Sequence, residues 1–349
     1  MTQRIAVIPG DGIGVDVLAS ARSVLDAVSG RHGITLSYNE FDWSCQRYER
    51  TGTMMPADGL DTLSGFDAIL LGAVGWPGVP DHVSLWGLLI PIRRAFRQYV
   101  NLRPTRVFDG VDSPLRQATG VDFVVVRENV EGEYSEIGGR MNRGFPDEMA
   151  VQESVFTRGG VSRIADYAFE LARTRRGYVT SATKSNGIVH TLPFWDEVVA
   201  ERAARYPDVR FDSEHIDALA AKFVLQPQRF DVVVGSNLFG DILSDLAAAV
   251  AGSIGIAPSA NLDPTRQYPS MFEPVHGSAP DIAGKGIANP VGAVWTAAMM
   301  LEHLGHAGAA ADILAAMDAT LANPETRTAD LGGSASTEQV TRALVAQLG

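Results

Sequence analysis

The sequence predicts an α/β protein, because short apolar runs typical of strands alternate with segments whose apolar residues have helical spacing. R-I-A-V-I-P at 4–9 is typical of a buried strand, and the segment 14–28 that follows has helical periodicity. The chain has 349 residues, which exceeds the size at which one hydrophobic core keeps growing, so we expect two domains or one sheet with a lobed outline.

The same alternation continues along the chain. I-T-L-S-Y-N-E-F at 34–41, A-I-L-L-G-A-V at 68–74 and V-D-F-V-V-V at 121–126 have the strand pattern, and residues 88–99 are predicted to be helical. Each predicted strand is short and bounded by polar or glycine-containing segments. A sheet with helices packed on it is therefore the expected architecture.

Two points along the chain are predicted domain crossings. Near residue 101, N-L-R-P begins an extended segment, because a residue before proline is disfavoured in the helical region. A run rich in Gly and Pro follows residue 251. We therefore predict a large domain made of 1–99 and 252–349 and a smaller inserted α/β domain made of 100–251.

Composition and charge exclude several classes of protein. Apolar residues make up 46% of the chain and charged residues 20%, which excludes a disordered chain. The net charge of -12 argues against a nucleic-acid-binding or membrane-binding surface. The first residues lack the apolar core of a signal peptide, and no apolar run approaches the roughly 20 residues of a membrane span. The single cysteine, Cys45, precludes an internal disulfide and fits the cytoplasmic location that we expect.

Glycines at 10, 12 and 14 follow the first strand, but they do not form a Rossmann fingerprint. That fingerprint needs G-x-G-x-x-G with the third glycine at the helix start, and Val15 stands at that position. The simpler interpretation is that these glycines permit a tight turn after the strand.

Asp241 and Asp245 are candidate metal ligands. They are four positions apart in S-N-L-F-G-D-I-L-S-D, the predicted opening turns of a helix, so both carboxylates are expected on one face. A hard divalent cation such as Mg²⁺ or Mn²⁺ prefers oxygen ligands, whereas structural zinc prefers Cys and His. The alternative is that these acidic residues only complement the helix dipole.

Six motifs follow one another over essentially the whole chain: I-P-G-D-G-I-G, N-L-R-P, R-E-N-V-E-G-E-Y, T-K-S-N, S-N-L-F-G-D-I-L-S-D and H-G-S-A-P-D-I-A-G-K-G-I-A-N-P. Together they resemble the β-decarboxylating dehydrogenases, which include isopropylmalate, isocitrate, homoisocitrate and tartrate/D-malate dehydrogenases. The resemblance implies an isopropylmalate dehydrogenase-like fold rather than a Rossmann fold, with a large mixed sheet, flanking helices and a smaller domain that carries the dimer interface. It also implies a homodimer whose active site is shared between subunits. NAD and either Mg²⁺ or Mn²⁺ are the implied cofactors, and a requirement for K⁺ stays open.

The resemblance assigns Arg93, Arg103 and Arg127 to a clamp for substrate carboxylates. A guanidinium suits this role because its planar fork binds a carboxylate through two parallel hydrogen bonds. Three arginines fit a hydroxy diacid as the small-molecule substrate. Arg94 and Arg97 fall off the matching positions, so we interpret both as surface charges.

The resemblance assigns Asp217, Asp241 and Asp245 to the metal, with Asp217 coming from the other subunit. The cation would chelate the substrate hydroxyl and its adjacent carboxylate and stabilise negative charge on the oxygen. Lys184, also from the other subunit, matches the residue that takes the hydroxyl proton. Tyr134 matches the acid that protonates the enol carbon after decarboxylation.

Five residues match the nucleotide loop of the family: Glu273, His276, Gly277, Asp281 and Asn289. The Asp281 carboxylate can accept hydrogen bonds from both adenosine ribose hydroxyls but would repel a 2′-phosphate. The resemblance therefore implies NAD rather than NADP.

The identity of the substrate depends on S-L-W-G-L-L-I-P-I-R at 84–93. This segment lacks the Ser and Asn with which isocitrate enzymes bind an extra carboxylate, and Trp86 is expected to narrow the pocket toward a small substituent at C3. The segment resembles the tartrate/D-malate branch, which implies NAD-dependent oxidative decarboxylation of D-malate to pyruvate and CO₂, with tartrate as a related substrate.

Three alternatives to this interpretation stay open. Leu88 and Leu89 keep 3-isopropylmalate as the alternative substrate. Trp86 could instead pack in the hinge without touching substrate. A non-catalytic regulatory subunit of the same fold is a remote alternative, because the metal carboxylates, the lysine and the tyrosine are all present.

Overall fold

The computed structural model describes residues 2–349, in which strands alternate with helices as predicted. The strands are β1 Thr2–Gly10, β2 Thr35–Glu40, β3 Ala68–Ala73, β4 Val100–Arg106, β5 Asp122–Glu128, β6 Gly138–Met141, β7 Met149–Gln152, β8 Tyr178–Thr183, β9 Arg210–His215, β10 Val232–Gly235, β11 Ala260–Leu262 and β12 Ser270–Phe272. The helices are α1 Ile13–His32, α2 Cys45–Thr51, α3 Gly59–Leu63, α4 Asp81–Ser84, α5 Ile90–Ala95, α6 Arg158–Arg173, α7 Thr191–Ala203, α8 Ile216–Leu225, α9 Asn237–Ala251, α10 Val291–His303, α11 Ala307–Ala322 and α12 Thr337–Leu348. A π-helical turn, Leu85–Leu89, joins α4 to α5. Among the described residues, no helix is both long and apolar enough to cross a membrane.

Ten strands form one mixed sheet in the order β2-β1-β3-β12-β11-β4-β5-β10-β8-β9, and β6 pairs with β7 in a separate ribbon. The pairings β12–β11, β11–β4 and β4–β5 at the centre are antiparallel, and the other pairings in this sheet are parallel. Antiparallel strands at the centre distinguish this sheet from the parallel Rossmann sheet. The prediction of an α/β fold with a large mixed sheet is confirmed.

The two faces of the sheet are covered differently. Side chains alternate along a strand, so β5 sends Val124 and Val126 to one face and Phe123 and Val125 to the other. On the first face, one continuous hydrophobic cluster runs beneath α1, α6 and α10. On the second face the covering consists of two separate clusters, one around β1 and β3 and one around β5 and β10.

Polar side chains occupy the second face where the central strands run. Asn101 of β4 is paired in register with Arg127 of β5 and with Asn261 of β11, so all three side chains share a face. Arg103 follows Asn101 by two residues and therefore lies on the same face. All four side chains are buried. The interval between the two hydrophobic clusters is thus a buried polar region, which is where a site for a charged ligand can form.

The predicted domain division stays a prediction. One cluster of the second face draws its buried residues from 6–96 together with Met271, and the other draws on 115–250. This separation agrees with a division into 1–99 with 252–349 and 100–251. However, one sheet runs through both parts.

Two element boundaries differ from the sequence prediction. The helix expected over 88–99 begins in the π-helical turn and ends at Ala95, because Arg97 takes a left-handed conformation with φ 49°. The segment E-H-I-D-A-L-A-A-K-F at 214–223 has helical spacing and predicts a helix from its start, but His215 ends β9, since it pairs with Thr183 of β8. Tertiary pairing overrides local helical spacing there.

The glycine-rich turn after β1 is a tight structural turn, as the simpler interpretation proposed. Gly12 has φ +57°, and a Cβ there would lie 2.0 Å from the carbonyl oxygen of Ser278. The neighbouring Ile13 amide donates to that same oxygen at 2.8 Å. The turn therefore holds the start of α1 against the loop that contains Ser278.

We predict that Gly12→Ala destabilises the protein by about 1–3 kcal/mol, because the backbone conformation favours glycine and the new Cβ would overlap Ser278. Urea unfolding followed by circular dichroism measures the change. Gly30→Ala is the matched control, since nothing lies within 4 Å of a Cβ at that position of α1. The control should be unchanged or more stable by up to about 1 kcal/mol. Equal stability of the two variants would contradict the steric account of the turn.

Candidate active site

Three arginines predicted to bind substrate carboxylates converge on the second face of the sheet. Arg103 comes from β4, Arg127 from β5 and Arg93 from α5. Their exposures are 8%, 2% and 7%, so each guanidinium needs a buried partner. The structure therefore brings together the three arginines of the predicted clamp.

Asp241 is the shared partner of two of these arginines. Its Oδ1 lies 3.3 Å from Arg103 Nη1 and forms a short ion pair with Arg127 Nη1. Its Oδ2 accepts a hydrogen bond of 2.7 Å from the hydroxyl of Tyr134. Burial alone would raise the pKa of Asp241, but the charges of Arg127 and Arg103 outweigh burial and hold that pKa below its usual value. Asp241 is therefore ionised at neutral pH.

Helix α9 holds Asp241 at this position. Ser236 caps the helix, and its hydroxyl accepts from the amide of Phe239 at 3.4 Å. Gly240 allows α9 to lie close to β5, because a Cβ there would be 2.5 Å from the Cβ of Arg127. The cap at Ser236 and the close approach at Gly240 thus determine where α9 places Asp241.

Asp245 lies one turn after Asp241 on the same face of α9, as predicted. Both carboxylates approach Arg103 Nη1, which is 3.6 Å from Asp245 Oδ1. Burial and the neighbouring Asp241 raise the pKa of Asp245, and the charge of Arg103 acts in the opposite direction. Two neighbouring carboxylates on one helix face form an arrangement that a divalent cation would stabilise.

Asp217 and Lys184 form a separate pair. Lys184 Nζ donates to Asp217 Oδ1 at 2.8 Å, and the hydrogen bond from the lysine lowers the pKa of the aspartate. Among residues 2–349, no third carboxylate, histidine or cysteine joins Asp241 and Asp245 in a cluster that could hold a metal. A single chain therefore contains two partial sites, Asp241 with Asp245 and Lys184 with Asp217.

Glu273 lies against the arginine clamp. Its Oε1 is 2.7 Å from Arg93 Nη2 and accepts a hydrogen bond of 2.8 Å from the Asn261 amide. Its side chain is only 11% exposed. Although Glu273 was predicted in the nucleotide loop, its contacts in this structure are with Arg93 of the predicted clamp and with Asn261.

The other predicted nucleotide residues follow β12 in the chain. Gly277, Ser278 and Pro280 line one side of a cavity of about 500 Å³, and residues 74–81 line the other. Asp281 is exposed, and no ion pair or hydrogen bond from the described residues engages its carboxylate. An exposed carboxylate that follows the lining of an open cleft suits a ligand whose hydroxyl groups donate hydrogen bonds.

Two of the predicted nucleotide-loop residues, Asn289 and His276, form hydrogen bonds within the protein. Asn289 accepts from the Val291 amide at 3.0 Å and donates to Asp330 at 2.9 Å, so its amide is already engaged. His276 lies 3.0 Å from the carbonyl of Gly277 through Nδ1, and its buried Nε2 has no protein partner. Burial lowers the pKa of His276, so the ring is neutral at physiological pH.

Two residues of the site, Asn237 and Ser244, escaped the sequence prediction. Asn237 accepts from Arg127 Nε at 3.0 Å and from Nη2 at 2.7 Å, and the Ser244 hydroxyl accepts from Arg103 Nη1 at 2.6 Å. Their spacing from Asp241 in the helix was the available signal, since residues three and four apart share a face.

Arg94, which we interpreted as a surface charge, is half-buried and has three partners within the fold. Its guanidinium lies 4.9 Å from the centre of the half-buried Trp86 ring, forms an ion pair of 2.7 Å with Glu136, and donates to the Tyr134 carbonyl at 3.0 Å. Consecutive residues of a helix point about 100° apart, so Arg94 faces away from the clamp that Arg93 joins. The position of Arg94 in the sequence gave no sign that it would contact the loop that contains Tyr134.

We predict that Asp241→Asn destabilises the chelator-treated, substrate-free protein by about 3 kcal/mol, because Arg103 and Arg127 would lose their shared anion. Urea unfolding near pH 7 measures this change. The folded state lowers the pKa of Asp241, so its contribution is present above its unfolded pKa of 3.8 and is lost as pH falls through the folded value. The difference between wild type and variant should therefore narrow below about pH 4.

Asp208→Asn is the control for this substitution. Asp208 also pairs with an arginine, Arg173, at 2.7 Å, but both side chains are largely exposed. An exposed pair contributes little, so this variant should unfold like wild type. If both variants lose the same stability, the burial of the arginines that pair with Asp241 does not explain the effect.

Comparison with known proteins agrees with this geometry. Residues 4–344 match the family described as isocitrate/isopropylmalate dehydrogenase. The chain is 57% identical to D-malate dehydrogenase [decarboxylating] of Escherichia coli (strain K12), with 98% of each chain covered. It is 55% identical to tartrate dehydrogenase/decarboxylase of Pseudomonas putida, covering 98% of this chain and 96% of that protein.

Solved structures show the same fold. The crystal structure of isocitrate dehydrogenase from Methylococcus capsulatus matches with a TM-score of 0.90 and 36% identity, covering 99% of both chains. The apo form of a β-decarboxylating dehydrogenase from Thermococcus kodakarensis matches with a TM-score of 0.81 and 39% identity, covering 99% of this chain and 96% of that one. The arginine and aspartate geometry, the full-length sequence matches and the common fold lead to one conclusion: this chain belongs to the isocitrate/isopropylmalate dehydrogenase family of decarboxylating oxidoreductases.

Proposed function

We propose that this protein catalyses the NAD-dependent oxidative decarboxylation of D-malate to pyruvate and CO₂, and that it also acts on tartrate. The observation that carries the proposal is the buried cluster in which Arg103 and Arg127 converge on Asp241, with Arg93 nearby. The names of the two relatives above support the same substrates.

The arginine cluster suits a diacid because its buried cations are paired with protein carboxylates, which substrate carboxylates can replace. Arg103 and Arg127 pair with Asp241, and Arg93 pairs with Glu273. A substrate carboxylate can replace a protein carboxylate without leaving a buried guanidinium unpaired. The exchange binds both ends of a short hydroxy diacid and frees Asp241 for another partner.

The residues fit a divalent cation if two copies of the chain contribute. Asp241 and Asp245 supply carboxylate oxygens from one helix face, and Asp217 of a second copy would supply the third. Mg²⁺ or Mn²⁺ at this position would supply Lewis-acid stabilisation of negative charge on the substrate oxygen.

Two protein groups are suited to the proton transfers. Lys184 of the second copy would accept the proton of the substrate hydroxyl as the hydride leaves C2. Burial, with Asp241 next, raises the pKa of Tyr134 to about 12, so its hydroxyl keeps its proton at neutral pH. Tyr134 can therefore donate a proton to C3 once CO₂ has left.

A homodimer would bring the two partial sites together. Apolar side chains are exposed close to both of them in the chain: Ile188, Val189, Val224, Leu225 and Ile242. The β6–β7 ribbon is also exposed along both strands, and it or its flanks expose Ile137, Met141, Phe145, Met149 and Val151. Exposed apolar groups in such numbers are typical of a protein interface.

Asp281 supports NAD as the cofactor. Its free carboxylate beside the cleft can accept hydrogen bonds from the two hydroxyls of the adenosine ribose. The neighbouring P-D-I-A-G supplies no cation for a 2′-phosphate.

The alternative substrate, 3-isopropylmalate, has less support. Leu88, one of the two leucines that kept it open, is fully buried in the hydrophobic cluster around β1 and β3. It is therefore not available to line a pocket for an isopropyl group. Trp86 lies on the same π-helical turn as Leu88 but is only half-buried.

Steady-state kinetics with D-malate, tartrate, 3-isopropylmalate and isocitrate, each with NAD and with NADP, test the proposal. We expect kcat/KM to be highest for D-malate or tartrate with NAD, by at least about tenfold over 3-isopropylmalate, because Trp86 limits the substituent at C3. Mn²⁺ or Mg²⁺ is present throughout, and pyruvate and CO₂ are quantified.

Exhaustive chelation is the control for metal dependence, and activity should return when Mn²⁺ is added. A preference for 3-isopropylmalate would overturn the substrate assignment. Full activity after chelation would contradict the proposed role of the carboxylates. A protein that turns over none of the four substrates would instead favour the regulatory-subunit alternative.

A further inference from the structure

We propose that Arg94 is a positioning residue that sets the placement of the Tyr134 acid relative to the substrate wall formed by Trp86, an inference that rests on the proposed function. One guanidinium contacts the Trp86 ring, the Tyr134 carbonyl and the Glu136 carboxylate. No other described side chain hydrogen-bonds to the Tyr134 carbonyl.

The segment around Tyr134 needs an anchor because it has little regular structure. Between the end of β5 at Glu128 and the start of β6 at Gly138, its backbone pairing is a single isolated bridge from Gly132 to Val155. Irregular segments of this kind owe their position to side-chain contacts. The neighbours of Tyr134 are held in this way, since Glu133 accepts from the Ser236 hydroxyl and Gln152 donates to the Ser135 carbonyl. Tyr134 itself is held through its carbonyl and its hydroxyl.

Tyr134 is held at two ends. Its hydroxyl donates to Asp241 at 2.7 Å, which places it in the arginine and aspartate cluster. Its carbonyl accepts from Arg94 Nη2 at 3.0 Å. When a cation and substrate engage Asp241, the hydroxyl contact must change, whereas the Arg94 contact lies outside the cluster. Arg94 can thus hold the backbone of Tyr134 through the reaction.

Arg94 is also in contact with the residue expected to limit substrate size. Its guanidinium carbon lies 4.9 Å from the centre of the Trp86 ring, within range of a cation–π interaction. Trp86 precedes β4 and Tyr134 follows β5, and because the start of β4 at Val100 pairs with the end of β5 at Glu128, both segments lie at the same end of these two strands. Arg94 therefore contacts both the expected substrate wall and the backbone of the expected proton donor.

The planar fork of arginine is important for this role. Nη1 binds Glu136 at 2.7 Å while Nη2 binds the carbonyl, and the guanidinium carbon lies over the indole ring. The Glu136 carboxylate is 69% exposed, so this ion pair adds orientation rather than much stability. A lysine could keep the charge but could not make all three contacts at once.

A double-mutant cycle between Arg94→Gln and Tyr134→Phe tests the proposal. In the wild-type background, we expect Arg94→Gln to lower kcat for D-malate by at least about tenfold, because the acid is misplaced after decarboxylation. In the Tyr134→Phe background, the same substitution should lower kcat by less than about twofold, since there is no hydroxyl left to place. Arg94→Lys should give an intermediate loss.

Arg97→Gln is the matched control, because Arg97 is exposed and follows the same helix, and its kcat should equal that of wild type. The thermal unfolding midpoint of each variant is measured in parallel, and Arg94→Lys takes the place of Arg94→Gln in the cycle if the glutamine variant fails to fold. An equal loss from Arg94→Gln in both backgrounds, or no loss in either, would overturn the proposal.

A failure of the Arg94 proposal can be told apart from a failure of the proposed function. If wild type prefers 3-isopropylmalate, the substrate assignment is wrong, and the same cycle run on that substrate still decides the role of Arg94. Additivity would then overturn the positioning role, and loss of the Arg94 effect in the Tyr134→Phe background would support it.

Discussion

The site depends on one carboxylate that two buried cations share. Asp241 neutralises Arg103 and Arg127, accepts a hydrogen bond from the Tyr134 hydroxyl, and lies one helical turn from Asp245. Buried guanidinium groups without an anion would be strongly destabilising, so this ion cluster must exist before any ligand arrives. In the proposed function, the same requirement suits the site to a diacid, because a ligand carboxylate would pair with the arginines and leave Asp241 to bind a cation.

The sheet explains where such a cluster can form. One face is sealed by a continuous hydrophobic cluster, which holds the sheet together through both parts of the chain. The other face is covered by two clusters with a gap above the antiparallel central strands. Polar side chains of β4, β5 and β11 fill that gap, and helices α5 and α9 close it from either side. The site is therefore a consequence of incomplete apolar covering, and the mixed strand order places it at the centre of the molecule.

Features that depend on local sequence patterns were predicted better than features that depend on contacts between distant residues. The strands and the common face of Asp241 and Asp245 followed from periodicity, which is a property of neighbouring residues. The convergence of the three arginines came only from the family resemblance, because it joins residues far apart in sequence. Asn237 was missed although it shares the helix face of Asp241, and Arg94 was missed because its partner loop near Tyr134 has no periodic pattern. Boundaries failed where tertiary pairing outweighed helical spacing, as at the end of β9.

The central claim is that a complete site combines Asp241 and Asp245 of one chain with Lys184 and Asp217 of another, and subunit complementation tests it most directly. Lys184→Ala and Asp241→Asn homodimers should each lose at least about 100-fold in kcat. Mixed dimers, formed by refolding the two variants together and separated by different affinity tags, should regain about half of the wild-type activity, because one of their two sites is intact. Mixed dimers as inactive as both parents would show that each site is built within a single chain and would contradict the account.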